Sequence, residues 1–278
     1  MESKNELGGQ MITKFFSILE YMSKTKSPIR LQDISTHLEI PQATMLRYLT
    51  SMIRQGYVYQ DKETLRYALT WKICRITNNL SSPLSAKAIV SPYVYELSSK
   101  LSVGAAAMMI QGYNGVYIEM IDEPSTLLTS ILRMSNCPPL NSTASGKLLL
   151  SQFSPAELDD FIQIRGLEQR TAHTIMDRAR LEEELEAARK QGYALEVREC
   201  YDDVECVAVP VYDYNDKIYL ALSVFGKSHL TEQSCLKNEL LPVLFGAAAE
   251  ISCRLGCSEK MLNKLRSSAA PSELPDSL

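Results

Sequence analysis

Residues 31–69 constrain the fold more than any other stretch of this chain. They read LQDISTHLEI, PQATMLRYLTSMIRQGYV and YQDKETLRYAL in succession. Ile34 and Leu38 set the buried side of a short helix over about 31–38. Pro41, tolerated in a first helical turn, opens a longer helix that Gly56 stops. Tyr57-Val58-Tyr59 and Arg66-Tyr67-Ala68-Leu69 are β-prone arms around Asp61-Lys62-Glu63-Thr64, which predicts a hairpin with a charged tip. Ahead of these, Ile12, Phe15, Phe16, Leu19 and Met22 recur at helical spacing, so a helix is expected over about 10–25, with residues 1–9 frayed.

On a 100° wheel, residues 42–54 separate into two faces. Met45, Leu49 and Met52 align on one, with Ile53 at its margin; Ala43, Thr44, Arg47, Thr50, Ser51 and Arg54 fall on the other. Small and hydroxylic residues around a central arginine allow close approach to a DNA groove. Arg47 is suited to a bidentate bond with guanine, and Gln42 and Thr44 to base edges or phosphate. Arg54 is placed for phosphate, as are Lys62 and Arg66 on the hairpin. Helix, turn, helix and hairpin in this order predict a winged helix-turn-helix over residues 10–70.

The totals limit the rest. A chain of 278 residues accommodates about two domains. Residues 1–80 carry eleven basic and seven acidic side chains, the remainder 18 and 26. A mildly basic head on an acidic body suits contact with nucleic acid at one end. No apolar run reaches the roughly 18 residues of a membrane span and no export signal opens the chain, so a cytoplasmic protein is expected. Seven scattered cysteines with no CxxC predict reduced thiols, no metal and no cofactor. Cys253 and Cys257, four apart, are expected to pack together on one helix face.

Beyond Ser81-Ser82-Pro83 the pattern changes to α+β. A linker helix is expected over 71–83, then a second domain over 84–256 and an unstructured tail over 257–278. Within the domain, a helix over about 84–101 is expected to bend or break at Pro92. Strands at 103–110 and 116–121 flank Tyr113-Asn114-Gly115, with Asn-Gly as the turn signal. A further strand is expected near 128–134. Ser154-Pro155-Ala156-Glu157 reads as a capping box, and a helix over about 177–191 ends at Gly192. Val207–Tyr212 and Ile218–Phe225 form a second hairpin, and a long helix covers about 232–255.

The head and the motifs LNSTASGKLLL, GYALEVREC, VECVAVPVYD and ALSVFGK, taken together, resemble the IclR family of bacterial transcriptional regulators over about residues 10–256. In the head, Ala43-Thr44 stands at the family's Ser-Thr pair and Arg47-Tyr48-Leu49 at its Arg-x-Leu. The resemblance implies a GAF-like α/β effector-binding domain and a homodimer or dimer of dimers (a homotetramer). It also implies a palindromic or pseudo-palindromic double-stranded operator, and control of catabolic genes, more often by repression. The implied effector is a small, often acidic, metabolite such as an organic acid. The departures from the family at Glu196 and Phe225 point instead to a less polar or ring-bearing catabolite. The implied pocket residues are Ala144, Ser145, Glu196, Cys206 and Ser223, with Phe225 where the family has a second serine. Glu196 stands where the family usually has aspartate, and Phe225 is expected to intrude into the pocket.

Enzyme patterns fail. Ser145-Gly146-Lys147 lacks the remaining residues of a phosphate loop, since Asn141 and Leu148 stand where Gly and Ser or Thr are needed. No GxSxG, HExxH or GxGxxG occurs, and nothing places Cys206 beside His173 or His229. The competing class is a small-molecule sensor acting through a protein partner. A ligand that alters the separation of two heads through the helices between about 71 and 101 is the expected mechanism.

Overall fold

The computed structural model describes residues 2–25, 27–73, 83–122, 139–227 and 230–269. Two compact units divide at residues 82 and 83. The first opens with α1 (Glu2–Ser23), which starts eight residues earlier than the apolar spacing predicts. It continues through α2 (Leu31–His37), α3 (Gln42–Arg54), β1 (Val58–Gln60) and β2 (Tyr67–Leu69). Ile18, Met22, Ile34, Ile40, Met45, Leu49, Met52 and Val58 form its core.

The turn between α2 and α3 is held from inside. The buried Ser35 hydroxyl donates to the Ile40 carbonyl, and Ile40 N–H returns to Ser35 O at 3.1 Å. Glu39 takes the left-handed conformation (φ +52) that reverses the chain. Gly56 (φ +78) ends α3, with Tyr57 N–H bonding Met52 O at 3.0 Å. Lys72 caps the same end, its ammonium 2.7 Å from Gln55 O and over the Tyr57 ring. In the hairpin tip Asp61 Oδ1 accepts from Thr64 N–H (2.7 Å) and Oγ1 (2.6 Å), which holds its carboxyl below the usual range. Trp71–Ile73 forms one 3-10 turn; the rest of the expected linker helix and the expected strand near 128–134 lie outside the described residues.

In the second unit one antiparallel sheet runs in the order β4-β3-β7-β6-β5. Its strands are β3 (Gly104–Gln111), β4 (Asn114–Ile121), β5 (Ala194–Val197), β6 (Val204–Tyr212) and β7 (Ile218–Lys227). Alternation along β6 and β7 sends Val207, Val209, Leu222 and Val224 to one face, under α4 (Pro83–Leu101) and α8 (Leu241–Arg254). The other face carries α5 (Ala144–Leu150), α6 (Pro155–Arg165) and α7 (Arg178–Gln191). There Ala106, Ser223, Ala208 and Ala194 pair in one row across four strands. Small side chains in that row let α5 approach the sheet closely.

Several expectations need correction. Gln111 pairs with Asn114, so the first hairpin turns on Gly112-Tyr113 with Gly112 at φ +62, and Asn114-Gly115 already belong to β4. Glycine at the first central position suits a type II′ turn, which outweighed the Asn-Gly signal. Of the bend or break expected at Pro92, a break is excluded, since α4 runs continuously through it. The segment before Leu241 is a π-turn over Leu236–Leu240 rather than regular α-helix. Residues from 257 are not all tail: α9 (Glu259–Ser268), capped by Ser258, buries Leu262 and Leu265. Gly256 (φ +81) ends α8, so Cys253 is exposed while Cys257 is buried beyond the helix.

Local signals elsewhere hold. Ser154 and Glu157 form the reciprocal capping box, and Gly192 takes the left-handed C-cap of α7. The β6–β7 register shifts at Val211/Tyr212, and the buried Ser252 hydroxyl accepts Tyr212 N–H at 2.9 Å there. Among the described residues no helix is long and apolar enough to cross a membrane.

Candidate functional site

The first unit offers one helix with a clean division of faces. Met45, Leu49 and Met52 on α3 are buried. Gln42, Ala43, Arg47, Thr50, Ser51 and Arg54 are exposed, and Thr44 and Tyr48 are half-exposed, Tyr48 packing on the core. Pro41 makes no side-chain cap, so the first N–H groups of this 13-residue helix remain a suitable seat for phosphate. Lys62 is exposed at the hairpin tip and Arg66 half-exposed beside it. The wheel left out Leu46, which is 45% exposed on this helix.

The second unit gathers the other predicted residues on one sheet face. Glu196 pairs with Cys206, Cys206 with Phe225 and Phe225 with Gly104, so the four form one row across β5, β6, β7 and β3. Ser223 lies one row further along, donating to Ala106 O at 3.4 Å. Ala144 and Ser145 are buried at the start of α5, over the same face.

Glu196 is only 2% exposed. Its Oε1 accepts from Glu199 N–H (2.9 Å) and Cys200 N–H (3.1 Å). Burial nevertheless dominates and pushes its carboxyl up to about 8. Burial also raises the Cys200 thiol to about 12 and moves the Cys206 thiol and Tyr117 phenol well up. Glu196, the two thiols and the phenol therefore all favour their protonated forms near neutral pH.

Phe225, expected to intrude into the pocket, packs its ring against Gly104. A Cβ added at Gly104 would lie 2.3, 2.5 and 2.7 Å from Cε2, Cζ and Cδ2 of the phenyl ring. The ring thus leans across β3 and fills the volume glycine leaves vacant.

Lys147, Glu199, Cys200, Tyr117 and Ser142 were missed as contributors. Lys147, 1% exposed, meets Glu199 Oε1 at 2.5 Å and Glu184 at 3.6 Å. Glu199 is raised by burial and lowered in part by that ammonium. Among the described residues its buried Oε2 has no hydrogen-bond partner, and the buried Ser142 hydroxyl interacts with the Cys200 thiol. Thr171 and Thr174 hold the loop by donating to Arg198 O and Glu199 O at 2.7 and 2.6 Å. No periodicity marks these groups; only the Ser-Gly-Lys run pointed near Lys147. Among the described residues no group of three or more His, Cys, Asp or Glu side chains converges to hold a metal.

Residues 12–62 match the IclR helix-turn-helix domain, and residues 81–253 match the C-terminal domain of bacterial IclR transcriptional regulators. The chain belongs to the IclR family. It is a DNA-binding transcriptional regulator with an α+β fold, and its family is one of regulators rather than enzymes. The transcriptional regulator XynR of Escherichia coli is 27% identical over 229 residues, covering 82% of this chain and 90% of that protein. The acetate operon repressor of Salmonella typhimurium is 26% identical over 255 residues, 89% of this chain and 90% of the relative. An IclR homologue of Microbacterium hydrocarbonoxydans, crystallised with 4-hydroxybenzoate, shares the fold. Its TM-score is 0.54 at 17% identity, over 88% of this chain and 98% of that one.

Proposed function

We propose that this IclR-family protein is a cytoplasmic repressor of a catabolic operon, released from a palindromic or pseudo-palindromic operator by a small organic acid or ring-bearing catabolite. The observation that carries the effector half is the buried row Glu196–Cys206–Phe225, a polar and aromatic floor that core packing alone does not require. Ala144, Ser145 and Ser223 complete the effector contacts. The DNA half rests on the exposed face of α3, with Gln42, Ala43, Thr44, Arg47, Tyr48, Ser51 and Arg54 as contacts and Lys62 and Arg66 on the backbone. Repression of an operon by a relative, and 4-hydroxybenzoate bound to another, support this reading.

Self-association as a dimer or dimer of dimers is part of the proposal. Met11, Ile12 and Phe16 on α1 are each more than half exposed, and a second copy covering them would supply the two heads a palindrome requires. The effector then acts by favouring one separation of the heads over another.

Retardation of the DNA upstream of its own gene tests the reading. Affinity should fall steeply with salt, and the bound complex should shift with ligands drawn from the pathway encoded nearby. Affinity indifferent to salt and sequence would overturn it in favour of a sensor acting through a protein partner.

A further inference from the structure

The groove-facing side of α3 is chemically lopsided. Arg47 and Arg54 run along its middle, with Thr44, Tyr48 and Ser51 on one flank. The opposite flank carries Leu46 and, seven residues on, Ile53, which are 45% and 37% exposed. The Ala43 and Thr50 methyl groups lie between that flank and the middle. Seven residues return to nearly the same azimuth, so Leu46 and Ile53 form one apolar edge. Leu46 is the nearer to the helix N-terminus, the end that enters deepest in this class of motif. It immediately precedes Arg47.

An isolated exposed leucine on an ordinary surface requires no explanation. This one stands on the reading helix of a DNA-binding domain, beside the arginine suited to guanine. The major groove presents one apolar group, the C5 methyl of thymine. We propose that Leu46 is a specificity-determining residue that packs on a thymine methyl in the base pair next to the one read by Arg47. The inference rests on the DNA-reading role of α3 proposed above and adds to it the chemistry of one operator position. The two arms of contact are separable: Arg47 reads by hydrogen bonds, Leu46 by removal of apolar surface from water.

The test uses the full chain and a duplex selected by it from a random library. Each thymine of the selected site is replaced singly by deoxyuridine, which removes the methyl and leaves every hydrogen-bonding group intact. Transfer of one buried methylene-sized group predicts a loss of about four-fold per half-site at one thymine and none elsewhere. Leu46→Ala should bind the thymine and uracil duplexes equally, with about the affinity the unaltered protein shows for uracil, so that the double-mutant cycle assigns the methyl to Leu46. Leu46 is exposed, so its truncation leaves the core of the unit intact. Indifference of the unaltered protein to every thymine-to-uracil change overturns the proposal, as does a Leu46→Ala protein that keeps the full loss. Selection of no preferred duplex at all overturns the DNA-reading assignment itself, and this inference with it.

Discussion

Gly104 and Phe225 face one another across the β3–β7 pairing, and the phenyl ring occupies the space that any side chain at position 104 would need. The two residues are therefore one structural choice. Gly104→Ala puts a methyl within 2.3 Å of the ring and should destabilise the fold by about 1–3 kcal/mol through overpacking. Adding Phe225→Ser to that variant should recover part of the loss. Urea denaturation of the two single variants and the double variant measures the coupling; strict additivity would contradict the geometry.

Lys147 and Glu199 form an ion pair with almost no access to water. Lys147→Met leaves the Glu199 carboxylate uncompensated, so a loss of about 3–5 kcal/mol is expected. The double variant Lys147→Met with Glu199→Gln should be more stable than Lys147→Met alone. Thermal unfolding of both distinguishes a charge effect from a packing effect.

Glu196 gives stability a pH slope. Its folded carboxyl is raised from 4.5 to about 8, because burial outweighs the two backbone N–H groups it accepts from and the Lys147 ammonium. Glu199, Cys200, Cys206, Tyr117 and Tyr201 are the other titratable groups around it. The folded state holds the proton more tightly than the unfolded chain. Its stabilising contribution is thus complete below 4.5 and is lost as pH rises through about 8. Between pH 5 and pH 8.5 the protein should lose on the order of a few kcal/mol from this group. Glu196→Gln, which keeps the acceptor, should remove that part of the slope. Denaturation midpoints of both proteins across this range provide the measurement, and parallel slopes would rule out Glu196 as the source.

Arg47 and Lys62 should fail differently. Arg47→Ala is expected to cost about 1–3 kcal/mol and relax preference at one base pair. Lys62→Ala should weaken all sequences alike and reduce the salt slope by about 1. Binding isotherms at several salt concentrations, on selected and scrambled duplexes, separate the two outcomes.

What was legible in the sequence was local. The buried stripe Met45–Leu49–Met52, the Ser154–Glu157 capping box and the Gly192 cap each depend on neighbours within a few residues. Spacing and side-chain type therefore determine them before any tertiary contact forms. The Gly112-Tyr113 turn was legible in principle but was masked by the stronger Asn-Gly signal next to it. Helix α9 was overlooked because its apolar pair, Leu262 and Leu265, is too sparse to stand out from a polar tail until α8 provides a surface for it.

The site was legible only as a set of positions. The residues of the proposed effector site come from strands and loops far apart in the chain: Gly104 and Phe225 meet only through sheet register, and Lys147 and Glu199 meet across 52 residues. The direction of the Phe225 ring follows from the missing side chain on a neighbouring strand. The protonation of Glu196 follows from what buries it. Sequence alone determined the helix-turn-helix-hairpin order of the first unit and the buried face of α3, because helical periodicity is a property of adjacent residues. Tertiary structure decided the burial of Glu196 and the packing of Phe225, because solvent exclusion and steric room are supplied by segments that the local pattern does not record.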